Sequence, residues 1–193
     1  MASDNRTNLA ALHRQLVSEL VQECQHGAEE RVARYLSIRH HGIVASTEFA
    51  AASAECIDLF RDGHYYGAIS LSQAVGEALV RHMCKCSGWR PAENFEENVH
   101  TLKRRGVIDN EVESRLVRLW ERRDDYHHLN TSVATERHTL EELALTKVRD
   151  LADIERWVFG FSTKDGQLVL HRPKFWPGGS VNSVPVYLRR PMV

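Results

Sequence analysis

The sequence predicts a mainly α protein, an antiparallel helical bundle with a small C-terminal β-hairpin appendage. Two observations carry that expectation. Apolar residues recur at helical spacing along most of the chain to about residue 160. After Phe161 the pattern becomes short apolar runs separated by Asp165-Gly166, Pro173, Pro177 and Gly178-Gly179. At 193 residues the chain is long enough to bury one proper core.

The first segment, from Asn8 to Cys24, places Leu9, Leu12, Leu16, Leu20 and Cys24 at near-helical spacing. Gly27 and then His40-His41-Gly42 interrupt it, with RVARYLSI between them. Residues 1–45 are therefore expected to form an N-terminal helical extension packed on the bundle. Ser46 or Thr47 is the expected N-cap of a helix with Phe49, Ala52, Ser53, Cys56, Ile57 and Phe60 on one face. Asp62-Gly63 ends it, and a helix with a stripe of Leu71, Ala74, Val75, Ala78, Leu79 and Met83 follows. The pair reads as an antiparallel hairpin, with Gly67 and Gly76 marking close helix approach.

Asn94 is the expected cap of FEENVHTLKRRG, and Asp109 opens a helix with Val112, Leu116, Leu119 and Trp120 on its apolar face. After NTSVATERH, Thr139 and Glu142 have capping-box spacing at the head of a last long helix. Residues 46–161 thus form the helical domain. Residues 162–193 form a β arm: a hairpin turning at Asp165-Gly166, and VPVYLRR as one further strand.

A formal charge of −1 provides no broad attraction to nucleic acid or membrane, so a polyanion must be gripped locally. No apolar run is long enough to span a bilayer, and the polar N-terminus lacks a signal-peptide core. The four cysteines include Cys84-x-Cys86 without a second ligand pair at zinc-site spacing, so no metal is expected; a reduced cytoplasmic setting is. His40-His41 likewise lacks a partner at ligand spacing. There is neither a glycine-rich phosphate loop nor G-x-S-x-G. Lys103-Arg104-Arg105 suits a helix C-terminus, where cations oppose the dipole; Leu188-Arg189-Arg190 has no reading from sequence.

The densest chemistry lies in WERRDDYHHLN, residues 120–130. Extending the face of Val112, Leu116 and Trp120 leads to Arg123 and His127. Asp124 and His128 are four apart, a spacing that lets a carboxylate orient an imidazole. Arg123 and His128 are about 140° apart around a straight helix, so joint action requires a bend or a shared cleft. By spacing alone the cluster also fits a solvated, salt-bridged helix end.

Arg123-Asp124-Asp125-Tyr126-His127-His128 matches R-x(4)-H with a polar residue after the arginine, and the helix pair around RDGHYYGAISLSQAVGEALV precedes it. Over residues 46–160 this combination resembles HEPN domains (higher eukaryotes and prokaryotes nucleotide-binding). The resemblance implies a metal-independent endoribonuclease without a cofactor, a homodimer whose paired motifs line one composite active site on an RNA substrate. It implies Arg123 and His128 as catalytic residues and Asp124 as their orienting neighbour. Arg122 and His127 form an alternative register, with Arg123 then poorly matching the polar position. Tyr126 and Asn130 are the expected substrate contacts. A toxin or phage-defence role, with an antitoxin or effector partner, belongs to the same implication. Asn130 stands where toxin members paired with nucleotidyltransferase antitoxins often have tyrosine, a departure from that pairing. The alternative is a catalytically silent helical module that binds a nucleotide, RNA or protein.

Overall fold

The computed structural model describes residues 2–178 and 185–189, with side chains from residue 8 onward. It is mainly helical: α1 (Ala2–His26), α2 (Ala28–Leu36), α3 (Ala50–Arg61), α4 (Tyr65–Cys86), α5 (Phe95–Arg104), α6 (Asn110–Trp120), α7 (Arg123–His128) and α8 (Arg137–Val158). Four short strands complete it: β1 (Ile43–Ala45), β2 (Phe161–Lys164), β3 (Gln167–Leu170) and β4 (Val186–Leu188).

The α3–α4 hairpin turns at Asp62 and Gly63, the latter at φ +80°, a left-handed conformation that favours glycine. Helix α8 packs across α3, α4 and α6. The buried face of α4 is Ile69, Ser72, Gln73, Val75, Gly76, Leu79, Val80 and Met83; Ala74, placed on the stripe by spacing, is exposed. Gly76 is where α4 and α6 touch, because a Cβ there would collide with Leu119 Cδ2. Leu119 is fully buried and has little room to move. Gly76→Ala is therefore expected to destabilise the fold by about 1–3 kcal/mol despite alanine's better helix propensity. A midpoint in urea unchanged by the substitution would show that the helices separate at no cost.

Two predicted caps form as expected. Asn94 accepts from Glu97 N at 2.9 Å, and Asp109 accepts from Val112 N at 2.9 Å. Two do not. Helix α3 begins at Ala50 with Phe49 in the cap position and no side-chain cap, so Ser46 and Thr47 lie too far upstream, and Ser46 N donates to Pro185 O at 2.9 Å beside the β1–β4 pair. Helix α8 begins at Arg137, which places Thr139 inside the first turn rather than at the cap.

Asp165 and Gly166, at φ +51° and +76°, turn β2 into β3 as the Asp-Gly signal predicts. The further strand joins elsewhere. β4 pairs antiparallel with β1, Val44 opposite Tyr187, so the end of the described chain returns to the loop after α2. Arg189 follows directly, and its guanidinium enters the interior to meet Glu155 and Ser53. Arg190 and Gly179 lie outside the described residues.

The expectation that residues 1–45 pack on the bundle needs correction for α1. Leu9, Leu12, Leu16 and Leu20 are 50–68% exposed, so their stripe is not covered by the described residues. In α2, Arg34 donates from Nε to Arg61 O at 2.7 Å, tying that helix to the end of α3.

Candidate functional site

The segment WERRDDYHHLN does not continue α6. The helix stops at Trp120, Glu121 turns extended, and Arg122 takes the left-handed conformation at φ 61°, ψ 22°. A separate helix of six residues, α7, then runs from Arg123 to His128 and ends at a second left-handed residue, Leu129 at φ 50°. Non-glycine residues rarely adopt this conformation, so surrounding contacts must hold both ends.

Those contacts start from the core. Lys147 Nζ donates to Glu121 O at 2.8 Å and also to Arg118 O, satisfying carbonyls left open where α6 ends. Gln73 Nε2 donates to Glu121 O as well, at 3.2 Å. Lys147 is buried, and desolvation pushes its ammonium down to about 8, with Glu121 and Asp150 opposing the shift. Because its folded pKa is depressed, the unfolded chain binds more protons between about pH 8 and the ordinary lysine value of 10.5. This group therefore makes stability rise with pH across that window. Lys147→Met is expected to remove the rise, measured as the pH dependence of urea unfolding, and to release the break at Glu121. Wild-type and variant curves with equal slopes would contradict this.

Arg122 is committed to the break itself. It pairs with Asp125 at 3.2 Å, donates to Ser132 O, and lies over the Tyr126 ring at 5.5 Å. Asn130 completes this knot, its N donating to Asp125 O at 3.0 Å and its side-chain amide to Asp125 Oδ1 at 3.3 Å. Hydrogen bonding from the Ser132 side chain, and then from Asn130 and Arg122, holds the Asp125 carboxyl below the usual carboxylate range. Arg122 and Asn130 thus have a structural occupation that spacing did not reveal.

Arg123 is held differently. Its guanidinium lies 5.2 Å from the Trp120 ring, whose other contact is a parallel stack on Phe95 at 4.1 Å. Its Nη1 donates to Asp124 at 3.0 Å, while Nε is buried and has no hydrogen-bond partner among the described residues. The expected Asp124–His128 hydrogen bond is not made; the exposed Asp124 carboxylate turns to its neighbour Arg123 instead. His127 is four residues after Arg123 and lies beside the Ser70 backbone of α4. Partial burial and then the Arg123 cation lower its pKa below the ordinary histidine value. His128 is exposed at the end of α7.

Tyr126 requires a correction. It is 2% exposed and belongs to the core cluster with Ile57, Phe60, Ile69, Leu140 and Val148. A ring packed there is not available to stack on a base. In contrast, Lys147 carried a sequence signal that was missed: it stands on the apolar stripe Leu140, Ala144, Val148, Leu151, where a lysine needs a partner. Comparison with protein-family models, curated proteins and solved structures returns no match.

Proposed function

We propose that the protein is a metal-independent endoribonuclease of the HEPN type, acting as a homodimer, with Arg123 and His128 as catalytic residues. The observation that carries this reading is the division of labour in α7. Arg122 is spent on Asp125 and Ser132 O, whereas the only ion pair of Arg123 among the described residues is with the adjacent, exposed Asp124, and two histidines follow it on the same short helix. That favours the Arg123 register over the Arg122 register for the guanidinium. For the imidazole, His127 adjoins Arg123 and both His127 and His128 are exposed, which makes both worth testing.

In this reaction the ribose 2′-oxygen attacks the adjacent phosphorus and the 5′-oxygen leaves. One imidazole takes the 2′-hydroxyl proton, and an imidazolium returns a proton to the departing 5′-oxygen. The products are a 2′,3′-cyclic phosphate and a 5′-hydroxyl. A guanidinium, charged at every relevant pH, stabilises the extra negative charge on the phosphorane oxygens. Two chains facing each other supply the separate acid and base.

The test is incubation of the full chain with single-stranded RNA in excess EDTA, followed by end-group analysis. Cyclic-phosphate ends that appear with wild type and vanish with His128→Ala support the assignment. Loss on His127→Ala with His128→Ala active would move the imidazole by one residue. Activity that survives both substitutions would reject the site and leave a binding module. A toxin or phage-defence role, with its antitoxin or effector partner, rests on this same reading and is tested by growth arrest on expression.

A further inference from the structure

A second constellation lies away from α7, between α8, α6 and the end of α2. A pocket of about 450 Å³ is lined by Ser37, Arg39, Arg115, Arg149, Asp153 and Arg156, four cations against one carboxylate. In a chain with net charge −1, that is a strong local concentration of positive charge.

Arg39 is exposed, whereas Arg115, Arg118, Arg149 and Arg156 are held in position by hydrogen bonds. Buried Asp150 receives Arg118 through two bonds, at 2.7 and 3.0 Å, and Arg115 at 3.3 Å. Arg156 donates to Asp153 at 2.7 Å, and Arg115 to Glu111 at 2.9 Å. Arg149 is fixed through Nε, which donates to Ser37 O at 2.9 Å and leaves its terminal nitrogens free of that bond. Neither Arg39 nor Arg149 has a carboxylate partner among the described residues. Guanidiniums held at one edge and open at the other suit the planar, bidentate recognition of phosphate.

The pocket is not isolated. An adjoining one of about 230 Å³ shares Arg115, Asp153 and Arg156 with it and reaches Glu111, whose carboxylate is taken by Arg115, and Trp157. Arg172 stacks on the Trp157 ring at 3.7 Å. From Arg149 to Trp157 the groove follows α8 for about 12 Å at helical rise, enough for more than one phosphate. An elongated cationic groove with an aromatic residue at its end fits a single strand better than one compact anion.

We propose that this groove binds the backbone phosphates of single-stranded RNA, with Arg39 and Arg149 as its free cations. The inference rests on the RNA reading above, but its test separates the two. His128→Ala protein, in which cleavage is suppressed, is titrated with a fluorescent 12-nucleotide oligouridylate across a range of salt concentrations. Adding Arg39→Ala and Arg149→Ala is expected to weaken binding at least about ten-fold and to reduce the log–log salt slope by about 1.4, two phosphates at roughly 0.7 each. Arg39→Lys with Arg149→Lys should retain most of the slope, which distinguishes lost charge from lost folding.

Unchanged affinity and slope in the alanine variant would overturn the proposal. So would competition by polyglutamate as strong as that by unlabelled RNA of equal charge, which would make the groove an acidic-peptide site. Saturable binding of ATP at the same arginines without RNA binding would overturn the strand assignment as well. Groove-dependent RNA binding by a wild-type chain that never cleaves RNA would retain the groove and reject the ribonuclease. Cleavage with arginine-independent binding would do the reverse.

Discussion

Replacing Arg123 by alanine is expected to lower RNA cleavage by about 10²–10³-fold, the usual loss on removing one preorganised donor to a developing oxyanion. Removing the catalytic imidazole should cost about 10²–10⁴-fold. The fold should hardly respond to Arg123→Ala. Its side chain contributes one contact to the Trp120 ring at 5.2 Å and one exposed pair with Asp124, together worth about 1 kcal/mol or less. A large fall in thermal midpoint would therefore indicate a structural role. Arg123→Lys keeps the charge but not the fork, and should recover only part of the rate. The pH profile adds a further check on which imidazole acts. A general base works deprotonated, so its contribution is lost as pH falls through its pKa. Because His127 is held below the ordinary histidine value, an acidic limb set by it should lie below that of a free imidazole.

The largest expected loss of stability belongs to the buried pair at the other end of the molecule. Arg189 donates to Glu155, to Ser53 Oγ at 2.6 Å and to His41 O at 3.0 Å, and both charged side chains are almost fully enclosed. Arg189→Ala should destabilise the fold by about 3–5 kcal/mol, because it leaves a carboxylate buried without its counter-ion. Joint replacement, Glu155→Leu with Arg189→Met, should recover much of that loss, since apolar groups of similar volume need no desolvation of charge. Truncation before residue 185 should behave like Arg189→Ala and additionally release β1 from its partner β4. Equal urea midpoints for wild type and Arg189→Ala would mean that the pair is not closed in solution. Recovery in the double replacement separates an electrostatic loss from failure to seat β4.

Local signals were read well where the physics is local. Asn94 and Asp109 cap their helices because a short acceptor side chain reaches an amide three residues on. Asp165-Gly166 turns the hairpin because two consecutive positive φ angles suit these residue types. Ser46 and Thr139 carry the same kind of signal, but neither caps its helix. A strand partner from residue 185 engages Ser46, and α8 starts two residues before Thr139.

The candidate site was legible as a cluster and not as a geometry. Spacing placed Arg123 and His128 far apart around one straight helix, whereas the chain breaks at Glu121 and Arg122 and starts a new helix. No residue between 118 and 123 announces a left-handed turn. The carbonyls at the break are captured by Lys147, 26 residues beyond Glu121, and Glu121 O also by Gln73, 48 residues before it. Asp124 likewise had two candidate partners at allowed spacing, and the adjacent cation took it. Tyr126, expected as a substrate contact, is oriented inward by the short helix that this break creates.

The sequence by itself determined the helical class, the α3–α4 hairpin, the caps of α5 and α6, and which residues near 122–128 carry charge. Each follows from side chains acting within about one turn of their own backbone, or from a periodicity that needs a core on one side. Only the tertiary structure decided that Arg122 is tied to Asp125 and Ser132 O while Arg123 pairs with the adjacent Asp124, that Arg189 is interior, and that four arginines from three segments line one groove. Those outcomes depend on which buried groups compete for one another across the fold, and desolvation makes that competition strong only after the chain has packed.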